Sequence, residues 1–322
     1  MSIRVKVASS PAEIRALLEV RHRVFVDEEG YMPSQGGAIV DLFDALPTTR
    51  NLLAVSAGEV CGGLRVTLDS EAGMPADRFF DYRAILPEGA RPASASMLCL
   101  RKSVRGPRRL ISGMLQMCVY WAHARGLTHL CCPINPRVAP LMKPIGLEPV
   151  GDEFVDAKGL PTLPMVLDMS NLGPRYADFV HRQDVGLWLD SFERAFFQAG
   201  EAIVREGEPG REAFLVVDGA AAALAAGTGE NGPVVQGFAP GQVFGELALL
   251  TDLPRSTTVV ATEPTDLMVI SRDNFERQVS TNPDLALSMM SSIGERFYQA
   301  VTASGAPSEA DEASAEYSGA EA

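Results

Sequence analysis

The stretch Phe244-Gly245-Glu246-Leu247-Ala248-Leu249-Leu250-Thr251-Asp252-Leu253-Pro254-Arg255-Ser256-Thr257-Thr258 decides the fold of the last third of this chain. Gly245 lets a ligand approach the backbone closely, and a helix begun at Glu246 would point free N–H groups at an anion. The Glu246 carboxylate can accept a hydrogen bond from a sugar hydroxyl, and Arg255 is a forked donor that matches two phosphate oxygens. Ser256 and Thr257 add hydroxyl donors. The stretch therefore predicts a cradle for a cyclic phosphodiester and its ribose.

The residues around this stretch predict a small β-roll. Upstream, glycine and proline residues separate short apolar runs, as tight turns require. Downstream, Val259–Ile270 alternates as strands do, and Arg272–Phe297 has apolar residues at helical spacing. The upstream marks are Gly200-Glu201, Glu206–Gly210, Asp218-Gly219 and Pro240-Gly241.

With these flanks, the stretch resembles the phosphate-binding cassette of the cyclic-nucleotide-binding domain family. The resemblance implies cyclic AMP or cyclic GMP as effector, and Ser256 does not choose between them. The alternative is a degenerate, ligand-free roll in which Glu246 and Arg255 pair with each other. The residues that the resemblance assigns to the nucleotide are Phe244, Gly245, Glu246, Leu247, Ala248, Arg255, Ser256 and Thr257.

Length and composition bound the class of protein. With 322 residues and 46% hydrophobic content, the chain has room for two domains with their own cores. Its formal net charge of −13 predicts repulsion from nucleic acid and from anionic membrane. Because there is no long apolar run and no signal-peptide pattern, we expect a cytoplasmic protein without a membrane span. The five cysteines lack metal-ligand spacing, which predicts buried, reduced thiols and no metal site.

Basic residues are concentrated in the middle of the chain. Between Glu88 and Glu148 there is no acidic residue, while five basic residues crowd into Arg101–Arg109. This run lies between an apolar segment, Met97–Leu100, and a helical pattern, Leu110–Arg125. A strand, a loop rich in Arg and Gly, and a helix N-terminus form an arrangement that can hold a pyrophosphate. A solvated basic loop is the alternative.

The first 170 residues predict an α+β domain on one mixed sheet. Pro11–Val24 has the pattern of an amphipathic helix, and Leu52–Val55 with Val60–Leu68 predicts a hairpin that turns at Ala57-Gly58-Glu59. After the central strand and helix we expect two further strands and a short helix: Leu130–Pro133, Val138–Lys143 and Met165–Asp168.

This region resembles the GCN5-related N-acyltransferase (GNAT) superfamily, and most of all its acyl-homoserine-lactone synthases and N-acyl amino acid synthases. The resemblance rests on ordered pieces: Arg21–Phe25, Tyr31, Asp41–Asp44, Arg65, Ser96–Ser103, Asn135-Pro136 and Met142–Leu147. It implies an acyl thioester between two splayed strands, with its carbonyl oxygen on a backbone N–H near Leu98 to Leu100. It also implies an amine acceptor that loses a proton before it attacks.

The resemblance implies two sets of site residues. The candidate catalytic residues are Asp41 and Asp44, to bind or deprotonate the amine, with Arg21 and Arg65. Caps and solvated acids are the alternative for the two aspartates, and the arginines either bind a substrate carboxylate or pair with the aspartates. The candidate acyl-donor residues are Leu98, Leu100, Arg101, Lys102, Arg105, Gly106, Arg108 and Arg109.

Two functions therefore follow. The first is an N-acyltransferase that uses acyl-CoA, or acyl carrier protein as the alternative partner, to acylate a small-molecule amine under cyclic-nucleotide control. The second is a non-catalytic adaptor with a degenerate acyltransferase fold; protein lysine acetylation is a further alternative. Ser94, Met97 and Tyr31 replace the usual Glu, Arg and Trp of the lactone synthases, which counts against genuine lactone synthesis.

The expected fold class is a two-domain α+β protein, with a GNAT-type mixed sheet followed by a β-roll with flanking helices. Asn171–Arg175 marks a break, and Tyr176–Phe197 has a helical pattern. The tail from Gly305 contains five acids and no base, which predicts disorder. The expected domains are residues 1–172 (acyltransferase), 173–195 (helical linker), 196–303 (nucleotide binding) and 304–322 (tail).

Overall fold

A computed structural model of the chain describes residues 2–33, 36–105, 108–156, 159–173, 193–281, 287 and 291. The side chains of residues 108, 109, 278, 279 and 281 are not among those described. The chain forms two compact units, Met1–Arg272 and Asp273–Ala322. Most of the expected linker and the whole expected tail lie outside the described residues, so the predicted domain boundaries stay predictions.

Helices and strands alternate in the first half of the chain, whereas strands dominate after residue 193. The described helices are α1 Pro11–His22, α2 Arg108–Ala124, α3 Ala139–Met142, α4 Leu247–Leu250 and α5 Arg272–Thr281. The described strands are β1 Ile3–Val7, β2 Thr49–Ser56, β3 Glu59–Leu68, β4 Pro92–Leu100, β5 His129–Ile134, β6 Leu147–Pro149, β7 Phe154–Val155, β8 Pro161–Asp168, β9 Arg194–Phe197, β10 Ala202–Val204, β11 Glu212–Asp218, β12 Ala221–Leu224, β13 Val234–Phe238, β14 Val243–Phe244, β15 Val259–Ala261 and β16 Thr265–Ser271.

Local sequence signals explain several of these elements. Ser10 caps α1 by accepting a hydrogen bond from the Glu13 N–H, and Pro11 occupies the first turn. A π-helical segment, Arg23–Glu28, prolongs α1. The predicted hairpin of β2 and β3 is confirmed, and both residues of its tight turn, Ala57 and Gly58, have positive φ.

Twelve strands form one mixed sheet. Along it the order is β14-β11-β16-β9-β1-β2-β3-β4-β5-β8-β6, and β7 pairs with β8. Only the β4–β5 pair is parallel among these described strands, because α2 carries the chain back across the sheet between them. The expected α+β class with a mixed sheet is confirmed.

The four remaining strands form a second sheet in the order β10-β15-β12-β13, and it packs on the first to close the predicted β-roll. Its core includes three phenylalanines, Phe214, Phe238 and Phe244, all buried. The Phe214 and Phe244 rings stack with centroids 5.3 Å apart, and the Phe238 ring lies 4.9 Å from that of Phe244. Aromatic packing therefore fixes the strand that leads into the cassette.

Strand β9 joins the two halves of the large sheet. It pairs with β16 on one side and with β1 on the other, in the register Ile3↔Phe196. Phe196 points into the core of the first half, whereas Ala195 and Phe197 point into the roll, as the alternation of a strand requires. The helical expectation for Tyr176–Phe197 is therefore wrong for its last four residues, because strands on both sides pair with their backbone.

Side-chain contacts reinforce this joint. Arg4 of β1 donates to Glu193 at 2.8 Å and to both carboxylate oxygens of Glu212 at 2.9 and 2.7 Å. Buried Arg194 donates to both oxygens of Asp266 and, at 3.1 Å, to the Gln116 side chain of α2. The first half and the roll are thus linked by backbone pairing and by ion pairs.

Helix α2 forms the centre of the first core. Nearly its whole length is buried against the sheet, and Trp121 stacks with Arg125, whose guanidinium carbon lies 4.2 Å from the ring. Gly113 contacts Phe196 so closely that a Cβ there would lie 2.0 Å from the phenylalanine ring. None of the described helices is long and apolar enough to cross a membrane.

All five cysteines are buried and free, as expected. Burial raises the pKa of Cys61 and Cys99 to about 11 and that of Cys118 to about 12. These thiols are therefore protonated at neutral pH. No cluster of His, Cys, Asp and Glu that could hold a metal is found among the described residues.

Candidate functional site

The central strands β4 and β5 separate partway along their length. They pair from Pro92↔His129 to Ser94↔Cys131 and no further. Beyond that point β4 carries a bulge: the register with β3 passes from Gly63↔Cys99 to Arg65↔Ser96, so Leu64 faces two residues. Met97, one of these two, has a left-handed φ of 55°. A bulge takes a backbone N–H out of the ladder, so that it can serve as a donor to a ligand.

A cavity of about 730 Å³ opens where the two strands part. Most of its wall is apolar and comes from α2, β5, β8 and the turn before β6. The apolar side chains that line it include Ile111, Leu115, Cys118, Val119, Leu130, Cys132, Ile145, Leu147 and Leu167. Such a wall suits an acyl chain rather than a polar ligand.

The polar part of the wall lies beside the bulge. Arg65 donates from Nε to the Ser96 hydroxyl at 3.2 Å and from its two terminal nitrogens to the Asp41 carboxylate at 2.7 and 3.1 Å. Asp41, Arg65 and Ser96 all line the cavity, together with Tyr31. The structure thus brings two of the four candidate catalytic residues to the cavity.

The other two candidates, Arg21 and Asp44, lie behind this wall. Arg21 is fully buried and donates to Asp44 at 2.7 Å and to the Asn51 side chain at 2.6 Å. Asp44 also contacts Arg65 at 3.1 Å and accepts from the Asp41 N–H at 3.0 Å. In the structure, therefore, both arginines pair with the aspartates.

The two aspartates also form a capping box. Asp41 accepts from the Phe43 N–H at 2.9 Å and so begins the short 3-10 helix Leu42–Ala45, while Asp44 caps it in return. Burial alone would raise the pKa of Asp41, but the hydrogen bonds and charge of Arg65 hold that pKa below its usual value. Asp41 therefore stays ionised at neutral pH and suits the binding of a cation better than the uptake of a proton.

The basic loop after β4 is held by acids from the π-helical segment. Arg105 donates to Leu100 O, to Glu28 and to Glu29, and Lys102 donates from Nζ to Glu28 O at 2.8 Å. The Arg105 hydrogen bond lowers the pKa of Glu29. Part of the predicted positive charge is thus neutralised within the chain.

The other donor candidates have different positions. Leu98 and Leu100 line the cavity on β4, and Leu98 belongs to the bulge. Arg101 is half-buried and its Nε has no hydrogen-bond partner among the described residues. Gly106 lies outside the described residues, as do the side chains of Arg108 and Arg109 in the first turn of α2. The assignment of the donor to this loop stays a prediction.

A second candidate site surrounds Arg255 in the roll. Two glycines pack on its guanidinium group, since a Cβ at Gly210 would lie 2.4 Å from Nε and one at Gly245 would lie 2.8 Å from Nη1. Gly245 also has a φ of +73°. Arg255 donates to Gly245 O at 3.1 Å, and its backbone N–H donates to Glu208 O at 2.9 Å. The guanidinium is thus fixed at the start of the cassette.

The charge on Arg255 is left available to a ligand. Burial lowers its pKa, while the charges of Glu212 and Glu208 oppose that shift. Within the described part of the chain no carboxylate forms an ion pair with Arg255, so the alternative Glu246–Arg255 pair is not present. Glu246 is buried at the start of α4, with Phe244 and Ala248 beside it, whereas Leu247 and Ser256 are exposed and Thr257 is half-buried. This arrangement can bind an anion.

Some residues of these sites were not recognised in the sequence. Arg78 lines the cavity, and its guanidinium carbon lies 4.8 Å from the Phe43 ring centre. Asn51 is a partner of Arg21, and Glu28 with Glu29 holds the basic loop. A lone Arg or Asn in a loop or strand carries no local pattern, so only the fold reveals these contacts.

Two family models match the chain, one in each half. Residues 16–168 match the family model described as N-acyl amino acid synthase FeeM, and residues 194–282 match the one described as Cyclic nucleotide-binding domain. The fold and these matches thus define a chain that joins an acyl amino acid synthase-like domain to a nucleotide-binding roll. More particularly, the first module carries an N-acyl amino acid synthase FeeM domain and the second a cyclic nucleotide-binding domain, which confirms the resemblance to the N-acyl amino acid synthases and to the nucleotide-binding family.

Individual relatives cover one module at a time. The chain is 32% identical over 114 residues to a cAMP-dependent protein kinase regulatory subunit of Dictyostelium discoideum, which is 32% of this chain and 35% of that relative. A regulatory subunit of Eremothecium gossypii is 36% identical over 88 residues, 27% of this chain and 18% of that relative. The chain thus matches about a third of the length of the first of these curated relatives and less than a fifth of the second.

Among solved structures, FeeM, an N-acyl amino acid synthase from uncultured soil microbes, is 15% identical with a TM-score of 0.46, covering 53% of this chain and 93% of FeeM. The CoA-dependent acyl-homoserine lactone synthase BjaI, solved with SAM and isopentyl-CoA, is 17% identical with a TM-score of 0.46. It covers 56% of this chain and 88% of BjaI.

Proposed function

We propose that this chain is a GNAT-type N-acyltransferase that moves an acyl group from an acyl thioester to the nitrogen of a small amine, and that a cyclic nucleotide regulates it. One observation carries the catalytic part: the cavity of about 730 Å³ joins a bulged strand, an apolar wall and an ionised Asp41 in one space. The proposed reaction uses all three: the bulge binds the carbonyl oxygen, the apolar wall binds the acyl chain, and Asp41 binds the amine.

In the proposed reaction, the thioester carbonyl lies at the bulge, where a backbone N–H of Met97 or Leu98 donates to its oxygen. The ammonium group of the acceptor binds near Asp41 and gives one proton to water before its nitrogen attacks the carbonyl carbon. The C–N bond forms, the C–S bond breaks, and the thiol leaves with a proton. Holding both partners in contact supplies much of the acceleration.

The buried pairs give these groups their positions. Ser96 and Asp41 are both hydrogen-bonded to Arg65. One guanidinium group therefore fixes the Asp41 carboxylate relative to the bulged strand. Arg21 and Asp44 act through Arg65 and through the capping box as positioning residues. They touch the wall from behind, not the cavity itself.

The apolar wall supports a chain of several carbons as the acyl group. Burial of each additional methylene contributes about 0.8 kcal/mol as long as the wall can accommodate it. Acyl-CoA is the proposed donor, with acyl carrier protein as the alternative. The basic residues before α2 would contact the phosphates of either one.

The position of strand β9 supports the proposal that a nucleotide regulates the enzyme. On one side it is part of the roll that carries Arg255; on the other, Phe196 and Arg194 contact Gly113 and Gln116 of α2. The same helix lines the cavity with Leu115 and Val119. A nucleotide that binds two arrangements of the roll with different affinity would therefore change the cavity wall.

The test is release of free thiol from acyl-CoAs of increasing chain length, with a mixture of amino acids as acceptors, with and without cyclic AMP or cyclic GMP. We expect release that depends on chain length and changes when the nucleotide is added. Release that ignores the nucleotide would refute regulation. Absence of release with acyl-CoA and with acyl carrier protein would refute the transferase and favour the adaptor.

A further inference from the structure

The arginines in and behind the cavity wall differ in whether a carboxylate already pairs with them. Arg65 is neutralised by Asp41 and Asp44, and buried Arg21 is neutralised by Asp44. Arg105 pairs with Glu28 and Glu29. None of these three guanidinium groups is therefore free to bind an acid on the substrate.

Arg78 differs from them. It ends the short 3-10 helix Pro75–Arg78, is exposed, and lines the cavity. Across the described part of the chain no carboxylate forms an ion pair with it. Its guanidinium carbon lies over the face of the buried Phe43 ring, 4.8 Å from the ring centre. A guanidinium stacked on an aromatic ring keeps its N–H groups, which lie in its own plane, available to a ligand.

Hydrogen bonds and ion pairs hold the 3-10 helix that carries Arg78 in place. The Asp77 carboxylate accepts from the Met74 N–H at 2.8 Å and so closes the first turn of the 3-10 helix. Arg83 then pairs with Asp69 and Asp77. Arg78 is thus an uncommitted cation on an anchored element, which is what a binding residue requires.

Asp41 and Arg78 stand near each other with opposite charge. The charge of Arg78 contributes to the low pKa of Asp41, yet the two do not form an ion pair. Phe43, in the 3-10 helix that Asp41 caps, lies under the guanidinium groups of both Arg65 and Arg78. An α-amino acid, whose ammonium nitrogen and carboxylate carbon are both bonded to Cα, carries the two charges that complement Asp41 and Arg78.

From this juxtaposition, and resting on the proposed function, we infer that Arg78 binds the carboxylate of a zwitterionic amino acid acceptor while Asp41 holds its ammonium group. Arg78 is then a specificity-determining residue that selects amino acids over other amines. Because the carboxylate does not react, its contact with Arg78 orients the nitrogen toward the bulge at Met97 and Leu98.

The test compares each amino acid with its own carboxamide, which keeps the amine and the side chain but lacks the negative charge. The variants are Arg78→Gln and Arg78→Lys, and the matched control is Arg137→Gln, another exposed arginine that lines the cavity. Thiol release gives KM and kcat for each acceptor and for the donor.

In the wild type we expect the acid to have a lower KM than the carboxamide. Arg78→Gln should raise the KM of the acid roughly tenfold to a hundredfold and remove this preference. The KM of the carboxamide and that of the donor should change by less than about threefold, and Arg78→Lys should restore part of the preference. Arg137→Gln should leave it intact.

Retention of the preference in Arg78→Gln, or its loss in Arg137→Gln instead, would overturn the inference and leave acyl transfer standing. If no amine at all accepts an acyl group, the proposed function fails. Calorimetric titration of the amino acid into wild type and Arg78→Gln then decides the inference by itself. Binding that is lost in the variant supports it, and equal binding or none overturns it.

Discussion

At the scale of single residues, each proposed role depends on which charges are already paired. Arg255 and Arg78 carry a positive charge that no described carboxylate neutralises, whereas Arg21 and Arg65 are committed to aspartates. The sequence shows arginine in all four places. What separates ligand-binding from structural arginines is their partners, which lie 23 and 24 residues away in the chain.

Arg255→Ala should weaken binding of cyclic nucleotide roughly 100-fold or more, because two charge-assisted hydrogen bonds to phosphate are lost. The fold should persist, since the half-buried side chain forms no ion pair with a described carboxylate and donates a hydrogen bond to Gly245 O. Calorimetric titration and circular dichroism measure the two effects. The control is Arg205→Ala, which removes an exposed arginine paired with Glu230 in the same roll. Equal losses in both variants would contradict the cassette assignment.

Asp41→Asn should destabilise the protein at neutral pH, and the difference should shrink as the pH falls. The pKa of Asp41 is lower in the folded protein than in the unfolded chain. Its carboxylate thus contributes stability above the unfolded pKa of about 4, which is lost as the pH falls through the folded pKa. Urea unfolding between pH 7 and pH 3 measures this difference. A difference that stays constant would contradict the ion pair, and Glu59→Gln is the exposed control.

At the scale of elements, helix α2 and strand β9 are in close contact through Gly113 and Phe196. Gly113 is a glycine inside a helix, where alanine is normally better by about 1 kcal/mol. Here the Phe196 ring occupies the place of the missing Cβ. A methyl group at position 113 would therefore push helix α2 and strand β9 apart, and these two elements belong to different modules.

Gly113→Ala should destabilise the protein by about 1–3 kcal/mol despite its better helix propensity, because the new Cβ must displace the Phe196 ring. It should leave nucleotide affinity nearly unchanged and reduce the effect of nucleotide on thiol release. Denaturant unfolding and the release assay measure both. The control is Gly237→Ala, where a Cβ meets no atom within 4 Å.

Combination with Phe196→Ala decides whether the two side chains interact directly. If they do, the double variant should be less destabilised than the sum of the single variants, since the smaller residue makes room for the new methyl group. Strict additivity would show that Gly113→Ala acts elsewhere.

The elements also show what could be read from the sequence. The cassette, the hairpin and the central strand with its helix were predictable because each is encoded by neighbouring residues. The bulge was not, since Met97 is a non-glycine residue with left-handed φ and has no turn signal around it. Strand β9 was assigned to a helix, because its four residues become a strand only through the long-range partners β1 and β16.

For the same reason, the sequence identified candidate catalytic residues but not the contacts between them. The order of motifs located Asp41 and Arg65 at the cavity, but it gave no means of telling them from Asp44 and Arg21 behind the wall. Arg78 lies in a loop without a motif, so its place at the cavity follows only from the fold. Sequence patterns thus identify helices and strands, whereas the ion-pair partner of each charged side chain is known only from the structure.

At the scale of the whole molecule, the large sheet runs through both modules. Nucleotide that binds only the folded roll stabilises it by about 2.7 kcal/mol at a hundred times its dissociation constant. Because backbone pairing and the Arg4 and Arg194 contacts cross the joint, we expect this stabilisation to reach the acyltransferase half.

The chain has two tryptophans, and Trp121 lies in α2. In a Trp188→Phe variant, which leaves Trp121 as the single tryptophan, saturating cyclic nucleotide should raise the midpoint of Trp121 unfolding together with that of the roll. Fluorescence and far-ultraviolet circular dichroism follow the two transitions. A Trp121 midpoint that ignores the nucleotide would show that the modules unfold independently. The same experiment with added Arg255→Ala is the control.

The place of β1 in the sheet bears on how the chain is made. Its partner β2 is complete by Ser56, but its other partner, β9, begins at Arg194. At about 5–20 residues per second on the ribosome, roughly seven to thirty seconds separate the two. During synthesis one edge of β1 is therefore bare, and it is open to wrong pairing with another nascent chain. The charged side chains Arg4 and Lys6 on that strand are well placed to discourage such pairing.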